Sequence, residues 1–193
     1  DSALLSLIPA DWTVADLGCG SGILTARIAP HVEKVIGVDQ STAMLKAAKK
    51  RTAAFRNVEL RPGSLEALPL GDASVDAALL VLALSYLKDT RRALAEMSRV
   101  LKPGGRAVVV DLLRHDREQF RIEMGQTSRG FSRDELHDLL VESGLERVSC
   151  RPLAPEAEAK GPALLLATAI TPNSSSTPSQ TRASKSAQPK GKK

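Results

Sequence analysis

Thr13-Val14-Ala15-Asp16-Leu17-Gly18-Cys19-Gly20-Ser21-Gly22 decides how the rest of the chain is read. Its first half is a short apolar run of strand type, and three glycines in five positions follow it. A helical pattern begins directly after them. A glycine loop between a strand and a helix lets the main chain turn tightly and approach a ligand that a Cβ would hold off. Alone, such a loop also fits NAD or FAD binding. Two details narrow it. Asp16 stands two residues before the first glycine, and the spacing is G-x-G-x-G rather than G-x-G-x-x-G. A second acid, Asp39, closes the next apolar run, Val35-Ile36-Gly37-Val38, 19 residues past Gly20. That is close to the offset of about 20 residues at which a carboxylate meets ribose hydroxyls in strand–loop–helix folds.

Outward from this stretch, short apolar runs alternate with helical segments. That predicts an α/β domain, a doubly wound sheet covered on both faces. Strands are expected at 13–17, 34–38, 57–61, 75–82, 106–112, 146–152 and 163–169, and helices at 22–30, 41–55, 90–101 and 132–143. Ser41 suits a helix N-cap, and Ser132 with Glu135 suits a capping box. Pro103-Gly104-Gly105 reads as a turn into the strand Ala107–Val110. Only Pro- and Glu-rich residues separate the last two strands, which predicts an antiparallel C-terminal hairpin at the sheet edge.

The 193 residues suffice for one domain with a sizeable core, expected over residues 1–170. From Thr171 the composition turns to Ser, Thr, Pro, Gln and Lys, which cannot bury enough surface to order itself, so 171–193 reads as a disordered basic tail. The net charge of +5 comes from that tail, which holds five basic residues and no acid, leaving the body balanced. A nucleic-acid acceptor is therefore not expected, since a phosphate-gripping domain carries its own basic face. Two cysteines give neither a disulfide framework nor a zinc site, so no metal is expected. No run approaches the ~20 apolar residues of a membrane span and no signal peptide is visible, so no membrane partner is expected and a reduced cytoplasm is the default. The opening Asp1 in place of Met fits either a piece of a longer chain or a processed product.

Four ordered motifs carry a family resemblance. They are Asp16-Leu17-Gly18-Cys19-Gly20-Ser21-Gly22, Val38-Asp39-Gln40-Ser41 with Ala43-Met44-Leu45, Leu65-Glu66-Ala67-Leu68-Pro69-Leu70 with Ser74-Val75-Asp76, and Arg99-Val100-Leu101-Lys102-Pro103-Gly104-Gly105. Together they resemble the class I S-adenosyl-L-methionine-dependent methyltransferases over most of residues 1–170. The resemblance implies a Rossmann-like, seven-stranded mixed sheet and transfer of a methyl group to a small-molecule acceptor. Val109-Val110-Asp111-Leu112-Leu113, His115-Asp116-Arg117-Glu118, Glu123-Met124-Gly125 and Gly130-Phe131-Ser132 resemble, more narrowly, the methyltransferase half of bacterial proteins fused to an arsenical-resistance (ArsR-type) winged-helix repressor. Leu4-Leu5-Ser6-Leu7-Ile8-Pro9 resembles the segment joining the two halves. The alternative function is a non-catalytic S-adenosylmethionine-binding sensor attached to such a DNA-binding domain.

The resemblance assigns roles residue by residue. Gly18, Gly20 and Gly22 would form the loop at the methionine end of the cofactor, with Asp16 ordering it. Asp39, with Gln40 beside it, would take the ribose hydroxyls. Ser64 stands where relatives often carry an adenine-binding Asp, Leu65 would offer its backbone, and Met44 would be either an apolar wall or a core residue. Acceptor-side candidates are Ser85, Tyr86, Asp111 and His115, with Tyr86 and His115 the catalytic choices. Relatives often place histidine where Ser85 and Tyr86 stand. A packing tyrosine and an exposed helix-start histidine are the competing readings. Cys19 is expected to be a small packing residue.

Overall fold

The computed structural model describes residues 7–154 and 161–173. The joining segment before Leu7 and the tail from residue 174 lie outside the described residues. Seven strands form one sheet. They are β1 (Thr13–Leu17), β2 (Lys34–Asp39), β3 (Val58–Pro62), β4 (Val75–Val81), β5 (Leu101–Leu112), β6 (Glu146–Pro152) and β7 (Leu164–Ile170). The spatial order is β3-β2-β1-β4-β5-β7-β6. The first five strands pair in parallel, and β7 runs antiparallel to both β5 and β6. The expected seven-stranded mixed sheet with its antiparallel C-terminal hairpin is therefore present. The chain winds outward from β1 through β2 to β3, then returns to β4 on the other side. That makes β1/β4 the switch point, outside whose carboxyl ends such sheets bind ligands.

The helices are α1 (Ile23–Ile28), α2 (Thr42–Arg51), α3 (Thr90–Val100), α4 (Glu118–Glu123) and α5 (Arg133–Glu142), with short 3₁₀ turns at Ala29–His31 and Leu84–Tyr86. Alternation along each strand splits the apolar residues between two faces. Ala15, Leu17, Ile36, Val38, Ala78, Leu80, Val109 and Leu165 pack under Leu94 and Met97 of α3 and Leu136 and Leu140 of α5. Val14, Val35 and Ala77 pack on the other face with Ile28, Ala29 and Val32. Burying about 25 cal/mol per Å² of apolar surface makes these two layers the main stabilising contribution.

Caps fall where the sequence puts them. The Ser41 hydroxyl accepts from the Met44 N–H, and Ser132 and Glu135 form a reciprocal capping box. Two elements differ from expectation. β5 begins at Leu101 and passes through Pro103-Gly104-Gly105 instead of starting after a turn there. Pairing with β4 jumps from Val75↔Leu101 to Ala77↔Arg106, so the Pro-Gly-Gly stretch is a bulge inside the strand. Helix α4 is not among the four expected helices, although the competing reading of His115 places a helix start close by. It buries none of its residues, so it leaves no apolar periodicity in the sequence.

Candidate functional site

A cleft of about 360 Å³ opens at the carboxyl ends of β1, β2 and β4. Gly18, Gly20, Asp39, Gln40, Met44 and Leu65 line one side, and Leu82, Ala83, Tyr86 and Leu87 the other. The glycine loop is fixed by β2. The Gly18 and Cys19 N–H groups both donate to the Val38 carbonyl, at 2.8 and 3.0 Å. Gly18 and Gly20 have φ of 76° and 52°, the left-handed region that glycine enters without strain. A Cβ on Gly18 would lie 2.9 Å from that of Ala83, whereas Gly20 faces open space. The loop can therefore bring main chain against a ligand.

Asp39 ends β2 with both carboxylate oxygens engaged. One accepts from the Gly20 N–H and the other from the Ser41 N–H, each at 2.8 Å. A carboxylate has about four acceptor positions, so each oxygen retains capacity for a hydroxyl. This geometry fits a ribose, and the same acid ties the loop to the start of α2.

Asp16 is buried beneath the loop rather than lining the cleft. It accepts from the Thr25 hydroxyl of α1 at 2.5 Å. Burial pushes its carboxyl above the usual range, against the hydrogen bonds from Thr25. Gly22 also sits away from the cleft. Its φ is 76°, and a Cβ there would press within 3.0 Å of Ala48, so this glycine permits close packing of α1 on α2. The Ser64 hydroxyl accepts from the Glu66 N–H at 3.1 Å and closes a turn. Cys19 is buried, and burial, then Asp16 and Asp39, pushes its thiol up to about 12. A neutral thiol is a poor nucleophile. Iodoacetamide at pH 8 is therefore expected to label Cys150 before Cys19 in the native protein and both after unfolding, as read by mass spectrometry.

The acceptor-side candidates separate. Tyr86 lines the cleft and is exposed. Ser85 and Asp111 are buried against each other. Asp111 accepts from the Ser85 hydroxyl, from the Ser85 N–H at 3.3 Å and from the Leu112 N–H at 2.8 Å. Burial raises its carboxyl above the usual range. This pair clamps the end of β4 to β5 and does not reach the cleft. The Ser85 carbonyl accepts from the Thr127 and Ser128 N–H groups, at 2.8 and 3.2 Å, which staples residues 126–131 over the same end. His115 sits behind that segment, its N–H donating to the Arg129 carbonyl at 3.1 Å. Burial, then Arg117 and Arg129, lowers its ring below the ordinary histidine range. Its Nδ1 accepts from the Arg117 N–H at 3.2 Å, which assigns the proton of the neutral ring to Nε2. His115 therefore presents no free basic nitrogen toward the cleft.

Leu82 is a cleft residue that the sequence did not reveal. It lies just past β4 at φ 54°, exposed, with its N–H donating to the Val110 carbonyl at 2.7 Å. A leucine in the left-handed region costs about 1–2 kcal/mol. Such strain tends to collect at functional sites.

Residues 15–109 match the family model described as the methyltransferase domain. This segment is a methyltransferase domain. S-adenosylmethionine is the cofactor of that chemistry, and the glycine loop with Asp39 fits it. The chain is 36% identical over 135 residues to an uncharacterized 37.1 kDa protein of transposon TN4556 from Streptomyces fradiae, covering 67% of this chain and 38% of that protein. It is 38% identical over 119 residues to the 2-phytyl-1,4-naphtoquinone methyltransferase of a Nostoc species, covering 58% of this chain and 52% of the relative. It thus spans about half or less of these relatives. Among solved structures, YcgJ from Bacillus subtilis superposes with a TM-score of 0.72 at 20% identity, over 89% of this chain and 98% of that one. The [4+2]-cyclase SpnF superposes with a TM-score of 0.75 at 19% identity, over 89% of this chain and 80% of its own. The methyltransferase domain therefore shares its fold with a protein named for different chemistry, so activity is argued from the site.

Proposed function

We propose that this chain transfers a methyl group to a small-molecule acceptor held in the cleft between the glycine loop and the Leu84–Tyr86 turn. The observation that carries the reading is the meeting of Gly18, Gly20 and Asp39 in one cleft at the switch point of the sheet. When bound, S-adenosylmethionine supplies an electrophilic methyl group on a positively charged sulfur. Gly18 and Gly20 offer main chain to its methionine end, with Asp16 anchoring the loop through Thr25. Asp39, helped by Gln40, takes the ribose hydroxyls. Met44 and Leu65 flank the adenine, and Ser64 shapes the turn beside it. Tyr86 orients the acceptor, and residues 126–131 close the site above Ser85. The residues gather the reactants and exclude water, which is most of what an activated methyl donor requires.

The finer parts of the reading are proposals on the same footing. Residues 1–170 form the catalytic unit, 171–193 a basic tail, and the compartment is the cytoplasm. No helix among the described residues is long and apolar enough to cross a membrane, and no group of His, Cys, Asp and Glu there could hold a metal ion. Kinship to winged-helix fusions rests on the motifs between Val109 and Ser132. The inward-turned Asp111 and His115 favour one second reading, a binding-only sensor module. Calorimetric titration with S-adenosylmethionine and S-adenosylhomocysteine tests the cofactor site. Methyl transfer to an acceptor panel then separates enzyme from sensor. Absence of binding by a folded sample sinks both readings.

A further inference from the structure

The acceptor half of the cleft has a chemical character of its own. Leu82 and Tyr86 are exposed at 45% and 41%, and both line the side of the cleft opposite the glycine loop. Large apolar side chains left exposed together in a concave site mark where an apolar ligand sits. Leu82, Ala83 and Leu87 make an aliphatic wall, and the Tyr86 ring provides a flat face. Among the described residues that line this half, the Tyr86 hydroxyl is the only polar side-chain group.

Among the described residues, the carboxylates and the histidine nearest the cleft are engaged elsewhere, and the Tyr86 hydroxyl serves as a donor. Asp39 holds two main-chain N–H groups across the cleft and, in the proposed reading, spends its remaining acceptor positions on the ribose hydroxyls. Asp111 is turned into its clamp with Ser85. His115 uses Nδ1 as an acceptor within its own turn, and its Nε2 is buried. An alkyl alcohol or an ammonium group would therefore reach the methyl donor with a proton that no lining side chain takes.

We propose that the Leu82–Leu87 side of the cleft is the acceptor subsite, and that it takes a flat aromatic acceptor whose hydroxyl or thiol has already ionised in solution. This rests on the methyltransferase reading and names the substrate class of the same site. The acceptor loses its proton to water before transfer. Its lone pair then forms the bond to the methyl carbon, while the carbon–sulfur pair stays on the sulfur. An anion in an apolar slot is costly unless it is paired. The positive sulfur and a hydrogen bond from the Tyr86 hydroxyl offset that cost.

The test uses the full chain with three probes, para-nitrophenol, the less acidic para-cyanophenol and para-nitrotoluene, which has the shape but no acidic group. Calorimetry with S-adenosylhomocysteine comes first, and failure to bind overturns the cofactor reading and this proposal together. With that binding in hand, para-nitrophenol is expected to bind with the absorption spectrum of its phenolate beside sinefungin, an unreactive cofactor analogue whose ammonium group supplies the positive charge that S-adenosylhomocysteine lacks. A spectrum of the neutral phenol, or no binding, overturns the acceptor class alone. Tyr86→Phe is expected to weaken the nitrophenolate about tenfold, the size of a hydrogen bond to a charged group, and to leave para-nitrotoluene within about twofold. Equal effects on both overturn the hydroxyl's role. The pH midpoints of methyl transfer to the two phenols are expected to differ as their own acidities do. A shared midpoint would instead reveal a protein base and overturn the proposal, as would absence of transfer to either phenol.

Discussion

Replacing Asp39 with alanine is expected to weaken S-adenosylmethionine binding by about 3 kcal/mol, roughly a 150-fold rise in Kd. Two effects combine. The ribose loses a charged acceptor, worth about 1.5–3 kcal/mol for a hydrogen bond of that kind. The Gly20 and Ser41 N–H groups also lose the acceptor that each holds at 2.8 Å, so the glycine loop is released from the start of α2. Asp39→Asn separates the effects. Its amide oxygen keeps one of the two main-chain bonds, but its amino group meets the other N–H donor to donor. The asparagine variant should therefore fall between wild type and alanine. Calorimetric titration of both variants, with circular dichroism to establish folding, provides the measurement. A folded Asp39→Ala protein that binds as tightly as wild type would remove Asp39 from the cofactor site.

The parts of the fold legible in the sequence are those governed by local rules. The passage from Thr13 to Gly22 changes from apolar strand to glycine loop to helix within ten residues, and no other local reading fits it. Apart from the early start of β5, the strand runs fall within a residue of their observed ends, because runs rich in Val, Ile, Leu and Ala mark most of these elements. Ser132 and Glu135 announce α5 through a hydrogen-bond pair three residues apart. What escaped depends on tertiary partners. Helix α4 has no apolar stripe to see. Pro103-Gly104-Gly105 reads as a turn because its residues are turn formers, and only pairing with β4 makes it a bulge.

The site divides in the same way. Gly18, Gly20, Asp39, Gln40, Met44, Leu65 and Tyr86 line one cleft. Gly22 carries the loop's spacing but serves contact with Ala48, which no local pattern distinguishes from ligand approach. Asp111 and His115 have suitable chemistry at suitable strand ends, yet the Ser85 clamp and the Arg117 N–H turn them inward. Leu82 had no signal of its own, since in the sequence it reads as the last apolar residue of the expected strand 75–82, which ends at Val81 in the structure. Its left-handed backbone follows from the bond to Val110 and is visible only in three dimensions.

Gly130→Ala should be the most damaging substitution for stability, at about 3 kcal/mol or more. Gly130 has φ of 80°, which an alanine adopts only at a cost of about 1–2 kcal/mol. The new Cβ would also press on the Leu112 main chain, with the carbonyl carbon 2.9 Å away. Neither partner can swing aside. The Phe131 N–H donates to the Leu112 carbonyl at 2.9 Å, the Arg114 N–H to the Phe131 carbonyl at 3.0 Å, and the Phe131 ring is in the core. Gly125→Ala is the control, because Gly125 has φ of 67° but nothing within 4 Å of an added Cβ. It carries the conformational cost alone, about 1–2 kcal/mol. Urea denaturation of both variants measures the difference. The same residues 126–131 are stapled to Ser85, next to Tyr86, so any folded Gly130→Ala fraction should also bind the acceptor-side probes more weakly than S-adenosylhomocysteine binding alone would indicate. Equal destabilisation by the two alanines would mean that the chain end of β5 yields freely, and that the segment above Ser85 is not held as the hydrogen bonds describe.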